Sequence, residues 1–145
     1  MKVTITEPLP GEEEELIIKC RELHPDILKL LNKIKSQSSF IIGYIDGEAF
    51  SLNPADIIYV EAVDRAVFLY DDNHVYESKK RLYELEETLT AYDFVRISKS
   101  VIVNMRKIKS VMPSQSVRME IVMKNGEKLN CSRQYINGFK ELLGL

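Results

Sequence analysis

Metal-ligating and nucleophilic side chains are scarce in this 145-residue sequence. Its two cysteines, Cys20 and Cys131, stand far apart and form no CxxC pair, and its two histidines, His24 and His74, stand alone. Disulfide scaffolds and zinc sites need more thiolates, or histidines at ligand spacing. Two buried or half-buried thiols in a reducing compartment are expected instead. For Cys131 the preferred reading is a buried structural thiol. The alternative is an oxidant sensor whose pKa is lowered by the nearby Arg133. Neither histidine has flanks that resemble a hydrolase triad, and no GxxxxGK[ST] or GxGxxG run is present to cradle a phosphate. The carboxylate runs, Glu12 to Glu15 and Glu86-Glu87, fall in turn- or helix-like contexts that suit solvation. Neither an enzyme nor a cofactor is expected. No run approaches the ~20 apolar residues of a membrane helix. The opening MKVTITEPLPGEEEE carries carboxylates where a signal peptide needs an apolar stretch. The expectation is a cytoplasmic protein with no membrane insertion.

What is present is ordinary globular material, 45% hydrophobic and 29% charged. A chain of this length buries roughly 70% of its unfolded surface and needs no staple. The net charge of -2 conceals a division. Residues 1–95 hold ten basic and nineteen acidic side chains, whereas residues 96–145 hold ten basic and three acidic ones. Such asymmetry points to an electropositive region on an acidic protein.

Residues 2–6 (KVTIT) alternate and are β-branched, as an edge strand is. After Pro8, Pro10 and Gly11, residues 16–20 read as a second short strand. Pro25 suits a first helical position, and Ile27, Leu28, Leu31 and Ile34 recur at helical spacing to about Ser36. That apolar stripe packs on the two strands or forms a dimer seam. Gln37-Ser38-Ser39 is the expected boundary, dividing a strand/strand/helix extension (1–38) from a second domain (39–145).

Beyond it short β segments dominate. Asp46-Gly47 and Asn125-Gly126 are two-residue hairpin signals, since Gly accepts the positive φ of a type I′ turn. Strands are expected at 40–45, 48–52, 57–62, 67–70, 75–77, 94–97, 101–104, 108–112, 119–123 and 128–131. Ser78 is placed to cap a short helix carrying Leu82, Leu85 and Leu89. A closing helix from about Ser132 carries Ile136, Phe139, Leu142 and Leu143. With no βαβ alternation, the fold class is mainly β and antiparallel with short helices, preceded by a small α/β piece.

The most informative stretch runs from Phe94 through Arg96, Ile97, Ser98, Lys99 and Ser100 to Val103 and Asn104. Ile108, the Asn125-Gly126 hairpin and Ser132-Arg133-Gln134-Tyr135 follow in order. This set resembles the LytTR family of bacterial DNA-binding domains, whose pattern is F-x-R-x-H-R-S, a hydrophobic-V-N, a spaced Ile, N-G and S-R-x-Y. Ile57 to Glu61 and the helix with Leu82 and Leu85 also fall where the family places them. The likeness spans about residues 40–145.

The resemblance implies an elongated stack of antiparallel sheets whose inter-strand loops enter successive major grooves of double-stranded DNA. The function it implies is a sequence-specific transcription regulator. The family's contact loops map onto Val63, Asp64 and Arg65, onto Arg96, Ile97, Ser98 and Lys99, and onto Ser132, Arg133 and Gln134. Arg133 suits guanine or phosphate, and Gln134 adenine. For Arg96 a strand-end ion pair competes evenly with a DNA role, and Asn104 reads as a turn-stabilising side chain. Where the family often has His-Arg, this chain has Ser98-Lys99. That substitution keeps a charge but alters base preference. The roughly 40 residues ahead of the module are too few for a receiver domain, so a stand-alone member is expected. It would act as a homodimer or as paired monomers on DNA, with a regulatory protein as a further partner. Single-stranded RNA is disfavoured, because the basic region has only Tyr135 and Phe139 for stacking. The competing reading is a protein-interaction module that binds a partner chain along its β edges.

Overall fold

The computed structural model describes residues 2–36, 40–112 and 118–145. The strands expected at 2–6 and 16–20 do not form. Both segments are exposed along nearly their whole length. An isolated extended segment gains neither a ladder nor cross-strand burial, so β-branching alone does not hold it. Helix α1 (Pro25–Ser36) does form, with Pro25 at its first position and Asp26 complementing its positive end. It touches the short turn Thr90–Tyr92. The expected boundary at Gln37 to Ser39 lies outside the described residues.

Ten strands follow among the described residues: β1 (Ile41–Ile45), β2 (Glu48–Leu52), β3 (Tyr59–Val63), β4 (Ala66–Tyr70), β5 (Val75–Ser78), β6 (Phe94–Arg96), β7 (Val101–Asn104), β8 (Ile108–Met112), β9 (Met119–Met123) and β10 (Lys128–Cys131). Helix α2 (Leu82–Leu89) links β5 to β6, and α3 (Arg133–Leu143) closes the chain. The strands make a seven-stranded sheet in the order β2-β1-β5-β4-β3-β7-β6 and a three-stranded sheet in the order β10-β9-β8. Every pairing is antiparallel.

At β3 and β7 the large sheet is buried on both faces. Val60, Leu69 and Ile102 pack with Leu82, Leu85 and Leu89 of α2 in one core. Their chain neighbours Tyr59 and Val103 point the other way. There they join Met119, Ile121 and Met123 of the small sheet and Phe139 of α3 in a second core. The period-2 alternation of a strand thus feeds two cores from the same strands, each fully buried side chain contributing about 1.5–3 kcal/mol. The apolar stripe of α2 is what its sequence spacing demands. Asn104 is buried at the end of β7; its Nδ2 donates to the Ile57 carbonyl at 2.9 Å and its Oδ1 accepts the Arg106 N–H at 3.0 Å.

Two turn assignments change. Asp46-Gly47 forms the expected two-residue turn, with φ of 50° and 81°. The β9–β10 hairpin instead closes through three residues, Lys124 to Gly126, because Met123 N–H bonds to the Glu127 carbonyl at 2.8 Å. In it only Gly126 is left-handed, at φ 90°, as in a type I turn followed by a bulge. Ser78 does not cap α2. It ends β5, and its hydroxyl oxygen accepts the Lys80 N–H at 3.1 Å, while Arg81 occupies the cap position without a side-chain cap.

Candidate nucleic-acid interface

Antiparallel pairing decides which loops meet. Along β5-β4-β3-β7-β6 the chain alternates direction. The end of β3, the start of β4, the end of β5, the end of β6 and the start of β7 therefore fall at one end of the large sheet. The β3–β4 turn, the loop after β5 and the β6–β7 loop are gathered there by register alone.

Backbone hydrogen bonds fix three of the segments to one another. The Ala62 N–H donates to the Ser100 carbonyl at 2.8 Å, joining the β3–β4 hairpin to the β6–β7 loop. The Ser132 N–H donates to the Ile97 carbonyl at 2.8 Å, joining the first turn of α3 to that same loop. The three segments singled out in the sequence form one contiguous surface, held by main-chain bonds from rigid elements.

Within it the residues divide by role. Asp64, Arg65, Lys99, Arg133 and Gln134 are exposed. Arg65, Lys99 and Arg133 form no ion pair among the described residues. Asp64 and Arg65 make a tight two-residue turn between Val63 and Ala66 with φ of 48° and 70°. That conformation costs an L-residue roughly 1–2 kcal/mol. The chain accepts the strain and presents a long cation at the apex.

Arg96 is committed inward. Its Nη1 pairs with Glu86 Oε2 of α2 at 2.8 Å, its Nε donates to the Ser98 carbonyl at 3.1 Å and its Nη2 donates to the Lys99 carbonyl at 2.7 Å. One guanidinium thus clasps the inside of the β6–β7 loop. The Ser98 hydroxyl oxygen accepts the Ser100 N–H at 3.2 Å and tightens the same turn. Lys99 is left standing at the crest. Ser132 is half-buried and its hydroxyl donates to the Ile97 carbonyl at 3.4 Å, so α3 begins without a side-chain cap.

Ile97 departs from its expected contact role. Its side chain is fully buried in the second core and offers DNA no surface; its part is to anchor the loop. Of the two thiols, only Cys20 differs from expectation. Cys20 is exposed. Cys131 lies fully buried, as its preferred reading holds, and burial pushes its thiol up, the direction opposite to that of the low-pKa sensor alternative.

The basic C-terminal region does not form one face. Arg106 is paired with Asp93 at 2.7 Å and Lys128 with Glu120 at 3.8 Å. Lys124 sits in the β9–β10 loop, at the end of β10 remote from Ser132. Conversely, the acidic half conceals a basic run, Lys79-Lys80-Arg81, beside the β3–β4 turn. Register puts it there, since Val67 pairs with Ser78. The signal is the three adjacent cations; a count over 95 residues averages them away.

The model of the LytTr DNA-binding domain matches residues 47–144. The chain belongs to the LytTR family. Its DNA-binding domain is therefore the described β module, and the antiparallel stack is the family's fold. Among solved structures, the LytTR domain of a putative methyl-accepting/DNA response regulator from Bacillus cereus superposes with a TM-score of 0.70 at 27% identity, covering 74% of this chain and 99% of that one. An uncharacterised HTH-type transcriptional regulator of Staphylococcus aureus (strain NCTC 8325 / PS 47) is 29% identical over 135 residues, covering 92% of this chain and 91% of its own length. Another, from strain MSSA476, is 28% identical over 147 residues, covering 100% of this chain and 99% of its own. The likeness to these relatives thus takes in the segment ahead of the LytTR module. Their helix-turn-helix label does not describe this LytTR fold, in which strands separate α2 from α3 and no two helices are joined by a tight turn among the described residues. No helix of the described residues is long and apolar enough to cross a membrane.

Proposed function

We propose that this LytTR protein is a sequence-specific regulator of transcription that reads the major groove of double-stranded DNA with the loops at one end of its large sheet. The observation that carries the reading is the locking of the β3–β4 turn, the β6–β7 loop and the first turn of α3 into one surface bearing Arg65, Lys99 and Arg133. The major groove presents a distinct donor and acceptor pattern for each base pair to any rigidly held side chain. Arg133 suits the O6/N7 fork of guanine, and Gln134 the N6/N7 edge of adenine. Lys99 and Arg65 contribute phosphate or base contacts, Asp64 accepts from an exocyclic amine, Ser98 donates at the rim, and Ser132 accepts there through the lone pairs of its hydroxyl. Arg96 and Ile97 serve the site by holding the loop. The role in transcription is supported by the relatives' descriptions as transcriptional regulators.

Two copies acting on paired half-sites complete the reading. Helix α1 half-buries Ile27 and Leu31 and leaves Leu30 and Ile34 exposed on the same side, the apolar stripe a second copy would cover. A mass measurement in solution checks this part: a monomer at high concentration, alone and on DNA, would remove it.

The experiment for the whole is selection of bound duplexes from random DNA at near-physiological salt. Wild type should enrich a motif that Lys99→Ala/Arg133→Ala fails to enrich while remaining folded. No enrichment by soluble, folded wild type would favour the partner-binding reading along the β edges.

A further inference from the structure

Next to the loop surface lies an open cleft of about 430 Å³, lined by Asp64, Arg65, Ala66, Val67, Glu77 and the run Ser78 to Arg81. Four of the lining residues are cations (Arg65, Lys79, Lys80 and Arg81) and two are carboxylates (Asp64 and Glu77), so the cleft carries net positive charge. The cations are held differently. Lys79 places its ammonium 4.3 Å from the centre of the Tyr44 ring, which docks the chain against β1. The Ser78 hydroxyl fixes the turn by accepting the Lys80 N–H at 3.1 Å. Lys80 and Arg81 are exposed and make no ion pair among the described residues. Two free cations thus stand on a constrained turn, one sheet position along from the strained Asp64-Arg65 tip.

We infer that this cleft is a second DNA contact that seats the phosphate backbone flanking the bases read by the loops, with Lys80 and Arg81 as its principal cations. The inference rests on the reading of the loop surface as the DNA-contacting face, and Arg65 belongs to both. A duplex carries one negative charge per ~1.7 Å of axis. A duplex lying on the loop surface therefore extends a row of phosphates over whatever adjoins that surface. An open, polar, cationic trough fits a backbone, whereas base reading needs side chains that project from a crest. The cleft thereby adds affinity and fixes orientation without adding sequence preference.

The test uses the full chain and the duplex recovered by selection, comparing wild type with Lys80→Ala/Arg81→Ala. Thermal unfolding confirms that the variant stays folded. The variant should select the same motif and bind it more weakly. Its salt slope (log K against log salt) should be shallower by about 0.9 for each phosphate it no longer neutralises. Shortening the duplex on one flank should weaken wild type and leave the variant little changed. If wild type binds the duplex and the variant keeps both affinity and slope, the cleft assignment is overturned while the loop reading stands. If wild type recovers no duplex, the loop reading falls and the cleft with it. A variant that binds the same duplexes with a changed motif would also overturn the inference, since it would make these cations base readers.

Discussion

The carbonyl of Ile97 accepts both the backbone N–H of Ser132, at 2.8 Å, and its hydroxyl, at 3.4 Å. The two residues are 35 positions apart, yet this link places the β6–β7 loop and the N-terminus of α3 in a single frame. Main-chain bonds between rigid elements hold geometry better than flexible side chains do, and reading base edges requires that precision.

Ile97 is accordingly a stability residue. Ile97→Ala is expected to cost about 2–5 kcal/mol, as large-to-small changes at filled core sites do, measured by denaturant unfolding. A direct DNA contact would give the opposite pattern, with impaired binding and little change in unfolding midpoint.

Arg96 holds its loop through three separate nitrogens, which lysine does not reproduce. Arg96→Lys should therefore bind the selected duplex nearly as poorly as Arg96→Ala, with a salt slope close to wild type because no phosphate contact is removed. Full recovery by lysine would assign Arg96 to charge rather than to shape.

Arg65 stands at φ 70° in a two-residue turn. Arg65→Gly should relieve strain and raise stability by roughly 0.5–1 kcal/mol after the glycine's own entropy cost. The same variant should bind DNA more weakly, with a slope lower by about 0.9 if the arginine neutralises one phosphate. A fall in thermal midpoint would show that the arginine side chain packs for stability.

At the opposite end of β3, Tyr59 stacks on Tyr70 with ring centres 4.2 Å apart. Burial above all, then a hydrogen bond to the Glu127 carboxylate and the negative charge there, pushes its phenol well above the ordinary tyrosine value. Tyr70 is raised as well, by burial and by Glu61, to which its hydroxyl donates at 3.3 Å. Since the folded pKa exceeds the unfolded one, this stabilisation is complete below about pH 10 and is lost as pH rises from there through the folded value. Unfolding followed from about pH 8 to about pH 11.5 should show an alkaline decline that Tyr59→Phe makes shallower. Titration of phenolate absorbance should show one late-ionising group missing in that variant.

How far these features are legible in the sequence depends on whether their cause is local. Asp46-Gly47 announces its turn because glycine supplies the positive φ, and Leu82, Leu85 and Leu89 announce a buried helix face by spacing. Asp64-Arg65 makes the same class of turn with no glycine; the pairing of β3 with β4 imposes it. KVTIT has strand chemistry and no partner strand among the described residues, so it forms no strand. The candidate contact residues follow from the family pattern. What a pattern does not distinguish is a residue that touches from one that holds, as Ile97 and Arg96 illustrate. Ile97 is held by contacts across long sequence separations, whereas Arg96 depends on Glu86, ten positions back, and on the bend of its own loop.

Whether these loops read DNA from the major groove is decided by methylation interference on the selected duplex. Dimethyl sulfate marks guanine N7 in the major groove and adenine N3 in the minor groove of the same molecules. Methylated guanine N7 within the motif should block binding by wild type, and Arg133→Ala should no longer show this sensitivity at one specific guanine. Interference confined to adenine N3, with guanine N7 methylation tolerated throughout the motif, would place the protein in the minor groove and refute the major-groove reading.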